Sequence, residues 1–443
     1  MSRVAETFAE RLSRWAYAAL LRLLTPFYLL RLWRRGKAEP QYRLKMGERL
    51  GIYSAAADGQ AWIWVHAVSL GETRAAAALI SALRERRPGM RLLLTHSTAT
   101  GFTAGQDLLQ QGDAQTWLPY DTPGAVRRFL RHWRPAIGVL METEIWPSLQ
   151  HEAQRHGVPM VLANARLSAR SQRRGERFKA LLHPAGRSLA LALAQTQADA
   201  ERLSASGAPL VLVQGNLKFD MQVDQGLLAQ GRQWRAQLGR PVLLAAVTRE
   251  GEESMLLQAW AQAWSAAADP HAAHRSGPKP LLLIVPRHPQ RFEEVAVLIQ
   301  TAGLTLARRS QWTQKPSELD SQAEVWLGDS MREMALYYAA SDVALLGGSF
   351  APLGGQNLIE AAACACPVVM GPHTFNFAEA SELAEAAGAA RRVADLPQGL
   401  QAALELCGDA VAQQATRERA LAFAAQHRGA AARMAEQILT LLA

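Results

Sequence analysis

Cysteine is scarce in this chain of 443 residues. There are three, Cys364, Cys366 and Cys407, and no pair has Cys-x-x-Cys spacing. An odd, unpaired set points to a reduced, cytoplasmic setting and away from a thiolate zinc site. Two glycine signatures are missing as well: no loop fragment reads Gly-x-x-x-x-Gly-Lys-Ser/Thr or Gly-x-Gly-x-x-Gly. ATP hydrolysis on a P-loop and dinucleotide binding therefore lose support. No repeat and no apolar run of membrane-crossing length follows residue 33. Unbalanced charge is also rare beyond the N-terminus. Residues 1–50 hold eleven Lys and Arg against four Glu, which is +7 of the formal +9. The nearly neutral remainder lacks the basic face of a nucleic-acid binder.

The basic N-terminus encloses WAYAALLRLLTPFYLLRLW, Trp15 to Trp33, apolar apart from Arg22 and Arg31. No small-residue cleavage site follows it, so it is not a removable signal. A spanning helix needs about 20 apolar residues, and Arg22 and Pro26 interrupt this stretch. A helix lying in the lipid interface is the other membrane reading, and a helix packed on the body of the protein is the third. Arg34, Arg35 and Lys37 follow directly, which by the positive-inside rule places the body in the cytoplasm. The expectation is a membrane-associated helical segment over residues 1–38.

What the chain has in quantity is alternation of apolar strands with amphipathic helices. WIWVHAV, RLLLTHS, QTWLPY, AIGVLMET, PMVLANA, LALAQT and LVLVQGN form a first set. VLLAAVT, LLLIVPR, EVWLGDS, VALLGGS and PVVMGP form a second. Continuous apolar strands suit parallel sheets covered on both faces. The fold class is α/β, with two doubly wound Rossmann-like domains facing a cleft. The domains are expected at residues 39–225 and 226–443, the last helix packing back on the first. Residues 267–280, rich in Pro, Gly and His, read as a surface loop.

Several loops after strands carry chemistry. Ser69-Leu70-Gly71-Glu72 follows the first strand; Glu72 is either a helix-start carboxylate favoured by the dipole or a general base. Glu142 and Glu144 end another strand, where alternation would point both the same way. Lys218 stands beside a Gly-Asn turn. In the second half Arg287 and His288 follow a strand, and a guanidinium there suits phosphate. Gly-Asp-Ser, 328–330, is expected to start a helix with free amides at Met331, Arg332 and Glu333. In GGSFAPLGGQNLIE, 347–360, the glycines allow close approach to a ligand. Asn357 and Glu360 share a face of the next helix's first turn. Glu360 suits ribose hydroxyls and the amides suit phosphate, so the loop reads as a nucleotide site.

The fragments HAVSLGE, ETEIWPS, NARLS, GNLKFD, VPRHPQRF and GGSFAPLGGQNLIEAAACACPVVMGP, in this order, resemble the 3-deoxy-D-manno-octulosonic acid (Kdo) transferases over nearly the whole chain. The resemblance implies the glycosyltransferase B fold and an inverting transfer that needs no metal and no cofactor. It implies CMP-Kdo as donor and a lipid A precursor, lipid IVA, as acceptor, at the cytoplasmic face of a bacterial inner membrane. It assigns Glu72 as base and Glu142 and Lys218 to transition-state stabilisation. It assigns Pro286 and Arg287, Met331, Arg332 and Glu333, and Asn357, Leu358, Ile359 and Glu360 to CMP-Kdo. One motif departs: Val247-Thr248-Arg249-Glu250-Gly251-Glu252 has arginine where the family usually has histidine. The competing readings are a UDP-sugar transferase or epimerase of the same fold, and a nucleotide-sensing membrane adaptor that would have no use for Glu72, Glu142 and Lys218 together.

Overall fold

The computed structural model describes residues 6–53, 61–220, 223–264, 278–312 and 314–442. Most of the expected 267–280 loop lies outside them. The chain divides into two compact units, residues 1–221 with 427–443, and residues 222–426.

The first unit is built on seven parallel strands: β1 (Trp62–His66), β2 (Arg91–His96), β3 (Ala114–Trp117), β4 (Pro135–Met141), β5 (Met160–Ala165), β6 (Leu191–Ala194) and β7 (Val211–Val213). Their order is β3-β2-β1-β4-β5-β6-β7. Strand alternation sorts β1 onto two cores. Ile63 and Val65 join Leu79 and Ile80 of the helix Leu70–Arg86, together with Met434 and Ile438 of the helix Ala430–Thr440. Trp62 and Trp64 face the other way, onto Phe129, Leu149 and Leu203. The terminal helix thus completes the first unit's core. Asp220 caps its start, accepting the Gly429 and Ala431 amides at 2.5 Å each.

The N-terminal helix runs from Phe8 to Arg35 through Pro26, started by a capping box between Thr7 and Glu10. One side packs on the first unit. Glu10 meets Arg187 at 2.5 Å, Tyr17 lies against the buried Asp121, and the Tyr28 and Tyr120 rings are 5.9 Å apart. The other side leaves Phe8, Leu12, Trp15, Leu23 and Phe27 exposed. Packing on the body and presenting an apolar face therefore coexist in one helix. No helix among the described residues is long and apolar enough to cross a membrane.

The second unit also has seven parallel strands: β8 (Val242–Thr248), β9 (Leu281–Pro286), β10 (Leu306–Arg308), β11 (Val325–Leu327), β12 (Val343–Leu346), β13 (Val368–Met370) and β14 (Ala390–Arg392). Their order is β10-β11-β9-β8-β12-β13-β14. Leu243, Ile284 and Leu345 pack with Trp260, Ile299 and Leu400 on one face. The edge strands β10 and β14 are additions to the sequence expectation. Each is three residues long and contains arginine, so neither carries the apolar run that marks a buried strand.

Candidate active site

Strands β1 and β4 are neighbours, yet the chain leaves β1 toward β2 and leaves β4 toward β5, on opposite flanks. Beyond the carboxyl ends of two such strands an open α/β sheet has its ligand crevice. Glu72 follows β1 there, and Glu142 and Glu144 follow β4.

Ser69 caps the helix Leu70–Arg86, and Glu72 is the third residue of its first turn. One Glu72 oxygen accepts the Val68 amide at 2.9 Å; the other accepts the Ser69 hydroxyl at 3.2 Å. The helix-start reading of Glu72 is thus realised in the geometry. Its proton affinity is not that of an ordinary cap. Burial pushes the pKa up to about 7, and the Glu142 and Glu144 charges add to the rise against the Val68 and Ser69 hydrogen bonds. Burial and the Glu142 charge also raise Glu144. The three carboxyl groups therefore share one electrostatic site. A carboxyl group titrating near neutrality can accept a proton from a hydroxyl and release it again at working pH.

The strand-alternation argument for Glu142 and Glu144 does not hold. Strand β4 ends at Met141, and Glu142 takes a left-handed backbone with φ 58°. Its amide is fixed to the Ala163 carbonyl at 2.9 Å, so the reversal is built from main-chain bonds. Left-handed non-glycine residues are uncommon and concentrate at functional positions.

Lys218 sits half-buried in a short turn, Leu217–Asp220. A buried amide relay sets that turn. The Asn164 side chain accepts the Leu217 amide at 3.0 Å. The Asn164 carbonyl accepts from Gln195 at 2.9 Å, and Gln195 in turn accepts from Asn216 at 3.0 Å. Asn216 then accepts the Lys218 amide at 3.0 Å. Asn164 and Gln195 are absent from the sequence-level set. The only trace of Asn164 is a polar residue inside the apolar strand PMVLANA.

In the second unit the switch point lies between β8 and β12. All strands are parallel, so the loops after β8, β9, β11 and β12 emerge at one edge. Pro286 ends β9. Arg287 follows, exposed, its amide bonded to the Thr248 carbonyl at 2.9 Å. Asn357 is the N-cap of the helix Leu358–Ala363 and accepts the Ile359 amide at 3.1 Å. Leu358 and Ile359 are buried, and Glu360 is half-buried one turn in. Its charge reaches the Tyr338 hydroxyl and the Cys364 thiol, both raised chiefly by burial.

Two expectations change here. Met331, Arg332 and Glu333 precede their helix, which begins at Met334. Arg332 has φ 66°, and Glu333 is engaged by Arg309 at 2.7 Å and by Ser330 at 2.5 Å. These residues form a strapped turn, not a helix start. The glycines of the 347–355 loop also serve the chain's own packing. A Cβ on Gly347 would stand 2.3 Å from the Val247 carbonyl oxygen, and one on Gly354 would stand 2.4 Å from the Asn376 side-chain nitrogen.

The sequence reading named the acid beneath this loop within a motif but gave it no role. Glu252, buried in the first turn of its helix, accepts the Gly348 amide at 2.7 Å, the Phe350 amide at 3.3 Å and the Arg249 amide at 2.9 Å. Its neighbour Glu253 holds Arg291 through two bonds at 2.8 and 3.0 Å and accepts the Thr248 hydroxyl at 2.6 Å. The loops after β8, β9 and β12 are thereby tied together by two buried acids. Two consecutive glutamates opening a helix were the available signal. Arg249, at the departing motif position, pairs with Glu250 at 3.2 Å.

Residues 45–221 match the family described as 3-deoxy-D-manno-octulosonic-acid transferase (kdotransferase). The 3-deoxy-D-manno-octulosonic acid transferase of Bordetella pertussis is 46% identical over 431 residues, covering 95% of this chain and 98% of that one. The transferase of the same name from Haemophilus influenzae is 35% identical, covering 83% and 84%. Among solved structures, Anabaena HepE in complex with UDP is similar at a TM-score of 0.55 and 16% identity, covering 86% of this chain and 100% of that one. The UDP-GlcNAc 2-epimerase of Neisseria meningitidis is similar at 0.54 and 14%, covering 86% and 99%; at such identities the likeness is one of fold. A near-complete match at 46% identity is a likeness of family, and the chain belongs to the 3-deoxy-D-manno-octulosonic acid transferases.

Proposed function

We propose that this enzyme transfers Kdo from CMP-Kdo to a lipid A precursor, lipid IVA, with inversion and without a metal ion. The observation that carries the mechanism is Glu72: a carboxyl group at the β1/β4 switch point, oriented by Val68 and Ser69, with a pKa of about 7. Its deprotonated form takes the proton of the attacking acceptor hydroxyl. The new bond forms from that oxygen to the anomeric carbon of Kdo as the bond from that carbon to the CMP phosphate oxygen breaks. CMP departs as a phosphate monoester, with its extra negative charge.

Lys218 and Glu142 act on charge that develops in the transition state. The amide relay supports this role for Lys218 by fixing the main chain of its turn, and charge placed in advance costs less reorganisation when the transition state forms. Arg287 faces the leaving phosphate, and Glu360 accepts from the ribose hydroxyls of CMP. Pro286, Met331 to Glu333, and Asn357 to Ile359 shape the remainder of the donor site. Cationic side chains and amides take the phosphate charge in this reading.

The acceptor is a lipid, and the N-terminal helix supplies the means to reach it. Its exposed Leu23 and Phe27, at 72% and 69%, lie on a helix that also exposes Arg11, Arg22, Arg31 and Arg34. Apolar side chains with arginines suit an interfacial helix on an anionic leaflet, here the cytoplasmic face of the inner membrane. Incubation with CMP-Kdo and tetraacyl lipid A precursor, followed by mass spectrometry, tests the reaction. A product heavier by Kdo, absent with Glu72→Gln, is the expected result. No product from wild-type enzyme would refute it.

A further inference from the structure

The first unit contains a cavity of about 230 Å³ beyond the ends of β2 and β3, walled by Tyr28, Arg31, Arg49, Ser97, Tyr120 and Trp146 among others. Arg49 is its chemical centre. The residue is only 3% exposed, and its Nε and Nη2 atoms have no hydrogen-bond partner among the described residues. The guanidinium stacks over the Trp117 ring at 4.0 Å, which leaves its in-plane donors available. The Tyr120 hydroxyl is likewise buried without a partner. The Tyr120 amide donates to the Arg49 carbonyl at 2.8 Å, so the two residues are fixed to each other through the main chain.

The charge of Glu48 reaches Arg49, but no acid among the described residues accepts a hydrogen bond from its Nε or Nη2. Asp121 accepts the Ser148 and Leu149 amides at 3.0 and 2.7 Å. Glu48 accepts the Trp117 amide at 3.1 Å and pairs with Lys45 at 3.6 Å. Buried donors without acceptors are costly, and a buried guanidinium normally has a counterion. A planar, preset fork of donors beside a hydroxyl is the arrangement that an oxyanion completes. Exposed Arg31 adds positive charge, and Tyr28 and Trp146 supply flat apolar walls of the kind that cover a sugar ring.

The cavity borders the proposed base. The Ser97 amide reaches the Val68 carbonyl at 3.4 Å, and the Val68 amide is the one that orients Glu72. We propose that this cavity binds a phosphate monoester carried by the glycolipid acceptor, with Arg49 and Tyr120 as donors, and so selects which acceptor hydroxyl meets Glu72. The inference rests on the acceptor assigned above.

The test compares phosphorylated lipid A precursor with the same lipid after phosphatase treatment, using the full chain in detergent micelles. Wild-type enzyme should prefer the phosphorylated form. In Arg49→Gln that preference should fall about 10- to 100-fold, mainly through KM, as loss of a charged hydrogen-bond partner implies. Arg49→Lys should restore part of it, and Tyr120→Phe should reduce it several-fold. An unchanged preference in folded Arg49→Gln would overturn the proposal and leave Arg49 as packing against Trp117. If Arg49→Gln does not fold, an unchanged preference in Tyr120→Phe overturns it instead. Calorimetry with inorganic phosphate separates this idea from the reaction itself. If wild-type enzyme makes no product, yet binds phosphate and loses that binding in Tyr120→Phe, the cavity stands and the acceptor reading falls. Equal phosphate binding in the wild type and both variants overturns the cavity.

Discussion

The Asn164 side-chain oxygen accepts the Leu217 amide at 3.0 Å, joining the end of β5 to the turn that carries Lys218. Asn164 is fully buried, with φ 52°, a backbone that asparagine tolerates better than most residues. Asn164→Ala should lower stability by about 1–3 kcal/mol, since it orphans a buried amide. The same change should reduce kcat more than it raises KM for CMP-Kdo, because it loosens Lys218 and leaves the second unit intact. Thermal unfolding and steady-state kinetics read the two effects separately. A variant of normal kcat would mean that the relay does not position the lysine.

The acid limb of the rate profile should belong to Glu72. The base works deprotonated, so kcat/KM should fall as pH drops through about 7 and level off above it. Glu144→Gln removes a like charge that raises Glu72, and should move that limb to lower pH. A limb that stays in place with Glu144→Gln, or persists in the residual activity of Glu72→Gln, would assign it to another group.

The same shift has a thermodynamic face. The folded state holds the Glu72 proton up to about pH 7, whereas the ordinary value is 4.5. Between those values the folded state binds more protons than the unfolded one, so this group's contribution to stability declines as pH rises through the window. Glu72→Gln should therefore raise Tm more at pH 8 than at pH 5. Equal differences at both pH values would contradict the raised pKa.

Glu252 should be needed for the nucleotide and not for turnover chemistry. Glu252→Ala leaves the Gly348, Phe350 and Arg249 amides without their acceptor, at roughly 1–3 kcal/mol for each one that stays buried. The expected result is a lower Tm together with CMP binding weakened at least tenfold in calorimetry. Glu360→Ala should also weaken CMP, but with little change in Tm. Matching Tm losses in the two variants would argue against a direct contact between Glu360 and ribose.

On the N-terminal helix, Leu23→Asp with Phe27→Asp should cut co-sedimentation with anionic vesicles by well over tenfold, each side chain contributing about 1.5–3 kcal/mol if fully inserted. Activity on micellar acceptor should persist. Substitution is a cleaner test than deletion here, because the opposite side of the helix holds Arg187 and faces Asp121. Undiminished vesicle binding would show that the exposed stripe serves another purpose.

Strand content was legible because parallel strands buried on both faces are chiefly apolar, as Trp62–Val65 and Leu281–Pro286 are. The proposed site residues could be named because they follow strands: Glu142 and Arg287 come directly after β4 and β9, and Glu72 and Glu360 open the helices after β1 and β12. What stayed hidden depends on contacts distant in sequence. Glu252 meets Gly348 across 96 positions, and Asn164 meets Leu217 across 53. The late helix start at Met334 turns on one backbone angle at Arg332, which no periodicity reports. Arg49 reads as one more cation in a basic N-terminus until Trp117 and Tyr120 fold around it.

The helix Ala430–Thr440 fills the first unit's core, although the whole second unit separates it from the rest of that core in the chain. Asp220 and Ala431, bonded through the cap, are 211 positions apart. A ribosome adding about 5–20 residues per second would take roughly 10–40 s between them. Throughout that interval the core shared by β1 and the helix Leu70–Arg86 would lack Met434 and Ile438. Nascent chains should therefore attract apolar-binding chaperones late in synthesis, and a stop codon before residue 430 should expose the first unit to proteolysis even though every strand of both sheets has been made.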